Sequence, residues 1–131
     1  MKQITGINHV GLRVRSLETA RAFYEQLGFE FIVGPIGPEP VAVMLHPSGI
    51  NINFILNASD DASENNVLMD IPEKHTGFTH ISLEITDRKA VERHLNDAGI
   101  LITETVELPD GAVSFFVRDP DSNVIEFHQL G

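Results

Sequence analysis

The chain of 131 residues contains no cysteine and no tryptophan, and it has a single tyrosine. Without cysteine there can be no disulfide framework and no thiolate ligand, so any metal must be bound by histidine, carboxylate or amide groups. Basic residues are also few, since 9 Lys and Arg stand against 19 Asp and Glu and give a formal net charge of −10. Nucleic-acid binding is therefore not expected, because phosphate backbones demand clustered Lys and Arg.

Long apolar runs are also missing. No stretch approaches the roughly 18 consecutive apolar residues that a membrane span needs. The first six residues, Met-Lys-Gln-Ile-Thr-Gly, lack the apolar segment of a signal peptide. We therefore expect a cytoplasmic protein without a membrane partner. An apolar content of 42% is ordinary for a globular domain, and the acidic balance indicates a solvated surface or, as an alternative, attraction for a cationic small molecule.

A short alternating pattern occurs twice in the chain, with a histidine at the same position in each copy. In residues 76–85 the aliphatic side chains fall on one face of an extended strand, and His80 falls on the other. Residues 5–14 show the same alternation around His9. Because the helix-ending Gly28 and Gly99 repeat with the same separation, the chain is predicted to be one unit written twice.

Each copy is predicted to contain a strand, a helix and three further strands. Ser16 is the predicted N-cap of the first helix, and Thr86 or Asp87 of the second. A segment with three prolines and two glycines, residues 34–40, is predicted to be a loop. The predicted strands are residues 4–14, 29–33, 41–45, 50–56, 76–85, 101–106, 112–117 and 124–129. Residues 1–131 are thus predicted to form one α+β domain of two modules, residues 1–57 and 76–131, joined by a linker over residues 58–75.

Four polar residues fall on the strand faces opposite the aliphatic ones, namely His9, Asn53, His80 and Glu126. Each module must bury its helix against the aliphatic face of its own sheet, which leaves these four on the other face. If the modules pair about a pseudo-twofold axis, the four meet inside one curved surface. A single strand histidine is more often exposed or hydrogen-bonded than a ligand. Two imidazoles at equivalent positions with a carboxylate nevertheless form a ligand set for a divalent metal.

Four segments carry a resemblance to a known family, and they are residues 7–12, 22–29, 78–83 and 119–126. In these segments the chain resembles the glyoxalase/bleomycin-resistance/dioxygenase, or vicinal oxygen chelate, superfamily. The resemblance implies two βαβββ modules that form a curved, incomplete mixed β-barrel with the helices outside. It also implies that His9, His80 and Glu126 bind a divalent metal ion (Fe, Mn, Ni, Co or Zn). That metal would act as a Lewis acid on two adjacent oxygens of a small-molecule substrate.

Two positions depart from the family pattern. Ser122 stands where a glycine is common, which is a minor change in a turn. Asn53 stands where glyoxalases and epimerases of the family usually have Glu or Gln, and an amide cannot take a proton as a base. Asn53 is then either a weak amide-oxygen ligand, with another group serving as the base, or it is not a metal ligand. In the second case the ligands are two histidines and one carboxylate, a set that suits Fe(II) and O₂.

Two further residues complete the candidate site. His128 shares the face of Glu126 and is a candidate second catalytic group beside it, with an exposed C-terminal histidine as the alternative. Arg13 shares the face of His9 and is a candidate substrate-binding residue, as is Asn53. Pairing of Arg13 with Glu84 is the alternative.

Three functions follow from these residues and the resemblance. The first is a metal-dependent lyase or isomerase, the second an Fe(II) extradiol-type dioxygenase, and the third a metal-free drug-binding protein of the bleomycin-resistance kind. The retained His, His and Glu disfavour the third, and the absence of the usual anion-binding equipment disfavours fosfomycin modification. A homodimer is expected, because family members commonly pair and sheet edges need cover.

Overall fold

A computed structural model describes residues 1–59 and 65–131. The chain divides into two compact units, Met1–Ala62 (unit 1) and Ser63–Gly131 (unit 2). Among the described residues, each unit contains one helix and one four-stranded sheet. The α+β class and the two βαβββ modules predicted from the sequence are therefore confirmed. Part of the predicted linker, residues 60–64, lies outside the described residues.

Unit 1 follows the predicted order of elements. Its elements are β1 (Val10–Arg13), α1 (Leu17–Gln26), β2 (Glu30–Ile36), β3 (Val41–Leu45) and β4 (Asn51–Ile55). The sheet has the order β1-β4-β3-β2, with β1 parallel to β4 and the other pairs antiparallel. The predicted cap is confirmed, because Oγ of Ser16 accepts a hydrogen bond from the amide of Thr19 at 3.2 Å.

Unit 2 repeats this plan. Its elements are β5 (His80–Glu84), α2 (Arg88–Asp97), β6 (Glu104–Glu107), β7 (Val113–Arg118) and β8 (Val124–Gln129). The sheet order is β5-β8-β7-β6, and β5 runs parallel to β8. Of the two predicted caps, Asp87 is the one used, since its carboxylate accepts from the amide of Ala90 at 3.0 Å. Gly99 ends the helix with a φ of 72°, which favours glycine.

Each unit has an apolar core on the helix side of its sheet. In unit 1 the ring of Tyr24 is 1% exposed and lies 5.3 Å from that of Phe54 and 5.8 Å from that of Phe29, centroid to centroid. In unit 2 the rings of Phe115 and Phe127 stack at 5.4 Å. Burial of these large rings dominates the stability of both modules. Because the apolar core occupies one face of each sheet, polar side chains can lie on the opposite face.

Several predicted boundaries are wrong. The first strands of the two modules were predicted from residues 4 and 76, but β1 begins at Val10 and β5 at His80, and residues 1–9 are exposed. The strand predicted over residues 101–106 is Glu104–Glu107. The loop predicted over residues 34–40 is also too long, because β2 continues to Ile36 through a cis Gly34–Pro35 peptide. Proline is tolerated there because β2 is an outer strand of its sheet, and its register against β3 shifts twice.

The C-terminal part of the predicted linker is attached to unit 2. Arg118 donates from Nη1 and Nη2 to the two carboxylate oxygens of Asp70, at 3.0 and 2.8 Å. Asn66 donates to the carbonyl of Ser122 at 3.2 Å. Together these bonds tie residues 66–70 to the β7–β8 turn, so this segment is part of the second module.

Candidate functional site

The candidate site in unit 2 lies where the parallel strands β5 and β8 meet. In their register Ser82 stands opposite Glu126. His80 lies two residues before Ser82 and on the same face of β5. This places the imidazole of His80 beside the Glu126 carboxylate, with Nε2 and Oε2 separated by 2.9 Å. Two of the residues singled out from the sequence are therefore in direct contact.

Glu126 is held at both of its carboxylate oxygens. Its side chain is only 14% exposed, and Oε2 faces His80. The other oxygen, Oε1, accepts a hydrogen bond of 2.5 Å from the hydroxyl of Ser114. A partly buried carboxylate with two partners has little freedom to rotate, which suits a group that must present one oxygen in a fixed direction.

His128 belongs to the same cluster. On the neighbouring strand β7, Ser114 stands opposite His128 in the register. Nδ1 of His128 lies 2.8 Å from the Ser114 hydroxyl and 3.7 Å from Oε1 of Glu126. His128 is therefore connected to Glu126 through Ser114, and its side chain is 28% exposed. Its catalytic role stays a prediction.

The second ring nitrogen of His80 also has a partner. Oγ1 of Thr79 lies 2.9 Å from Nδ1 of His80. A hydroxyl can donate or accept a hydrogen bond, so this contact is compatible with either neutral form of the imidazole. The ring of Phe116 meets that of His80 edge to face, with centroids 6.1 Å apart, and further restricts its orientation.

The corresponding residues of unit 1 are His9 and Asn53. His9 is exposed just before β1, with Nδ1 2.8 Å from Oδ1 of Asn8. Asn53 stands opposite Gly11 in β1 and Val43 in β3, and its Oδ1 is buried with no hydrogen-bond partner among the described residues. A buried carbonyl oxygen without a donor is unusual, because leaving it unpaired costs about 1–3 kcal/mol.

Arg13 has polar contacts with two residues of unit 1. Its Nε donates to Oδ1 of Asn57 at 2.9 Å, and its guanidinium lies 4.0 Å from the carboxylate of Glu39. Asn57 in turn donates to that carboxylate at 2.7 Å. The side chains of Arg13 and Glu39 are more than half exposed. The substrate-binding role of Arg13 stays a prediction.

The types of ligand atom present suit a divalent metal. An imidazole nitrogen and a carboxylate oxygen meet in unit 2, and an unpaired amide oxygen lies in unit 1. Over residues 1–59 and 65–131, no three His, Asp or Glu side chains group together as a metal site. The ligand set of His9, His80 and Glu126 therefore stays a prediction.

Ser114 is the site residue that sequence reasoning missed. It lies inside an apolar strand, Val-Ser-Phe-Phe-Val, and is 7% exposed. A serine surrounded by large apolar residues was the available signal, because buried hydroxyls need partners. Its partners could not be named until the register between β7 and β8 was known.

The fold and the cluster define a class of protein, namely a two-module α+β domain with a histidine–carboxylate pair on the sheet face away from the helix. A family model described as the Glyoxalase/Bleomycin resistance protein/Dioxygenase superfamily matches residues 6–127. The chain belongs to this superfamily. Among curated proteins, none matches the sequence. In the described parts of the chain, no helix is long and apolar enough to cross a membrane.

Several solved structures share the fold. A glyoxalase family protein from Enterococcus faecalis has 23% identity and a TM-score of 0.77, with 94% of this chain and 96% of that chain covered. A lactoylglutathione lyase from Agrobacterium tumefaciens has 17% identity and a TM-score of 0.69, with 97% and 95% covered. The fosfomycin resistance protein FosX from Listeria monocytogenes has 19% identity and a TM-score of 0.70, with 98% and 96% covered. These likenesses show the fold alone.

Proposed function

We propose that this chain is a metal-dependent enzyme that acts on a small molecule with two adjacent oxygens, as a lyase or isomerase. The observation that carries the proposal is the contact between His80 and Glu126, whose nitrogen and oxygen lie 2.9 Å apart on the face opposite the helix. Family membership and the lactoylglutathione lyase among the structural neighbours support it.

In this proposal His80 and Glu126 are two ligands of a divalent metal, and His9 is the third. When bound, the metal supplies Lewis-acid polarisation of substrate oxygens. The residues around it orient the donors, since Ser114 holds Oε1 of Glu126 and Thr79 holds Nδ1 of His80. Outer partners of this kind fix the orientation and tautomer of a ligand.

An isomerisation also needs a group that moves a proton. Asn53 cannot do so, because an amide has no basic site at neutral pH. His128 is the proposed proton-transfer group, since its ring is attached to the same Ser114 hydroxyl as Glu126. Arg13 is the proposed substrate-binding cation, which would hold a carboxylate or phosphate group.

A second function, an Fe(II) ring-cleaving dioxygenase, is favoured by the identity of residue 53. Because residue 53 is an asparagine and not a carboxylate, the candidate metal ligands that carry a carboxylate or an imidazole are two histidines and one glutamate. That set leaves open positions for O₂ and substrate in non-haem iron enzymes. We expect this function to require Fe(II) and to consume O₂, whereas the lyase or isomerase requires neither.

Metal titration tests the leading proposal. Protein prepared without chelator should contain close to one equivalent of metal, or take it up when Mn, Fe, Ni, Co or Zn is added. Turnover of vicinal-oxygen substrates should depend on that metal and proceed without O₂. Metal content far below one equivalent with no uptake would contradict it and would favour the metal-free binding protein.

We also propose a homodimer. Ile7 and Phe78 occupy equivalent positions in the two copies, two residues before His9 and His80, and are 87% and 101% exposed. The strands that follow them, β1 and β5, are outer strands of their sheets. Large exposed apolar side chains beside unpaired strand edges are typical of surfaces that a second copy covers. Sedimentation equilibrium should give twice the chain mass, and a monomer at micromolar concentration would contradict the proposal.

A further inference from the structure

The contact of Ser114 with both Glu126 and His128 has no counterpart in the first copy. By the strand registers, Val41 and Ile55 occupy the positions in unit 1 that Ser114 and His128 occupy in unit 2. They form a cross-strand pair of two aliphatic side chains. Since the same fold accepts an apolar pair at this place, the polar pair in unit 2 is not a requirement of the fold.

The chemistry of the three groups decides which atom donates in each hydrogen bond. A carboxylate can only accept, so the single hydroxyl proton of Ser114 is donated to Oε1 of Glu126. The Ser114 oxygen then has only lone pairs left for Nδ1 of His128, 2.8 Å away. Nδ1 must therefore carry a proton, and in the neutral ring the lone pair lies on Nε2.

We propose that Ser114 is a positioning residue for the candidate site, with two effects. It holds Glu126 by Oε1, which leaves Oε2 as the oxygen available beside His80. It also fixes the neutral ring of His128 in the Nδ1–H form, which presents Nε2 as a hydrogen-bond acceptor for a substrate hydroxyl or a water molecule. The first effect rests on the proposed function, whereas the second concerns this chain alone.

The burial of the three groups supports this role. Ser114 is 7% exposed, and the side chains of Glu126 and His128 are 14% and 28% exposed. Ser114, which contacts both other groups, is the least exposed of the three, and His128 is the most exposed. The hydrogen bond between Ser114 and Glu126 is shielded from water, while the His128 ring can still be reached by a small molecule.

The tautomer can be measured directly in the metal-free protein. At a pH where the ring is neutral, long-range ¹H–¹⁵N spectra distinguish a protonated Nδ1 from a protonated Nε2. We expect Nδ1–H for His128 in the wild type and in Ser114→Thr, which keeps the hydroxyl. Ser114→Ala should show a mixture or the Nε2–H form. A wild-type ring in the Nε2–H form, or no change in Ser114→Ala, would overturn the assignment.

The effect on Glu126 is tested by metal affinity, with Mn²⁺ followed by calorimetry and Co²⁺ by its visible absorption. Ser114→Ala should bind about 10–100-fold more weakly and show an altered Co²⁺ spectrum, with both properties restored in Ser114→Thr. The double variant Ser114→Val, His128→Ile reproduces the pair of the first copy, and should fold while binding as weakly as Ser114→Ala.

Wild-type affinity in Ser114→Ala would overturn the positioning of Glu126. The two proposals fail in different ways. A wild type that binds no metal contradicts the proposed function and the role of Ser114 toward Glu126, while the tautomer of His128 still decides the second effect.

Discussion

Nε2 of His80 lies 2.9 Å from Oε2 of Glu126, across a parallel strand pair that leaves His80 about one-third exposed and Glu126 largely covered. This pairing joins the first strand of the second module to its last. It therefore depends on the whole module being folded, although it is not part of the apolar core. A contact of this kind can be removed with little effect on folding.

Replacement of His80 by alanine should abolish metal-induced stabilisation while preserving the fold. At a metal concentration 100 times the Kd, binding should stabilise the wild type by about 2.7 kcal/mol, which raises the Tm by about 10 °C for a chain of this length. We expect no rise for His80→Ala, and the measurement is thermal unfolding with and without Mn²⁺ or Zn²⁺.

His94→Ala is the matched control for this experiment. His94 is an exposed residue of α2 in the same unit, so its loss should leave the metal-induced rise intact. An undiminished rise in His80→Ala would show that the metal binds elsewhere.

Asn53 offers a test of whether an amide oxygen contributes to metal binding. Its Oδ1 is buried without a partner in the described part of the chain, as is that of Asn51 two residues earlier on the same strand. Leucine in place of either removes an unpaired acceptor, so the metal-free protein should be unchanged or stabilised by up to about 1–2 kcal/mol. If Asn53 is a ligand, only Asn53→Leu should weaken metal binding, and calorimetry measures the difference.

Equal affinities for wild type, Asn51→Leu and Asn53→Leu would assign the metal to histidine and glutamate alone. That result would strengthen the dioxygenase alternative, since it leaves two histidines and one carboxylate.

The repeat made most of the fold predictable. Alternation around His9 and His80 gave the first strand of each module, and the glycines at 28 and 99 gave the helix ends. The continuation of β2 through Gly34–Pro35 was missed, because proline and glycine are ordinary loop residues and only an outer strand accepts them.

Contacts between strands were harder to predict from the sequence than the strands themselves. The face shared by Glu126 and His128 followed from alternation, but the serine that joins them is on a neighbouring strand. Its position depends on the register Ser114–His128, which no local pattern encodes. In the same way, the attachment of Asp70 to Arg118 joins residues 48 positions apart in the chain.

Asp70 should make the free energy of unfolding depend on pH in the acid range. The hydrogen bonds from Arg118, and after them the amide of Asn66, lower the pKa of this carboxyl below its usual 3.8. A lowered folded-state pKa contributes stability that is present above the unfolded pKa and is lost as the pH falls through the folded one. Asp70→Asn should therefore have a lower free energy of unfolding than wild type at pH 7, and this difference should shrink below about pH 4.

Urea unfolding at pH 7, 5, 4, 3 and 2.5 measures this difference, with Glu104→Gln as a control for removing an exposed carboxylate from the same unit. A difference for Asp70→Asn that is the same at every pH would contradict the assignment.

Gly34 should be far less replaceable than another glycine that also has a positive φ. Its φ is 138°, and an added Cβ would lie 2.5 Å from Cα of Ala42, a backbone atom that cannot move without disturbing β3. Gly49 also has a positive φ, of 97°, but an added Cβ there meets nothing within 4 Å. Gly49→Ala should therefore cost only the backbone strain, about 1–3 kcal/mol. Gly34→Ala should cost that strain and a further 1–3 kcal/mol or so from overpacking against the neighbouring strand. Chemical unfolding of both variants measures the two costs, and equal destabilisation would mean that β2 does not pass this close to β3.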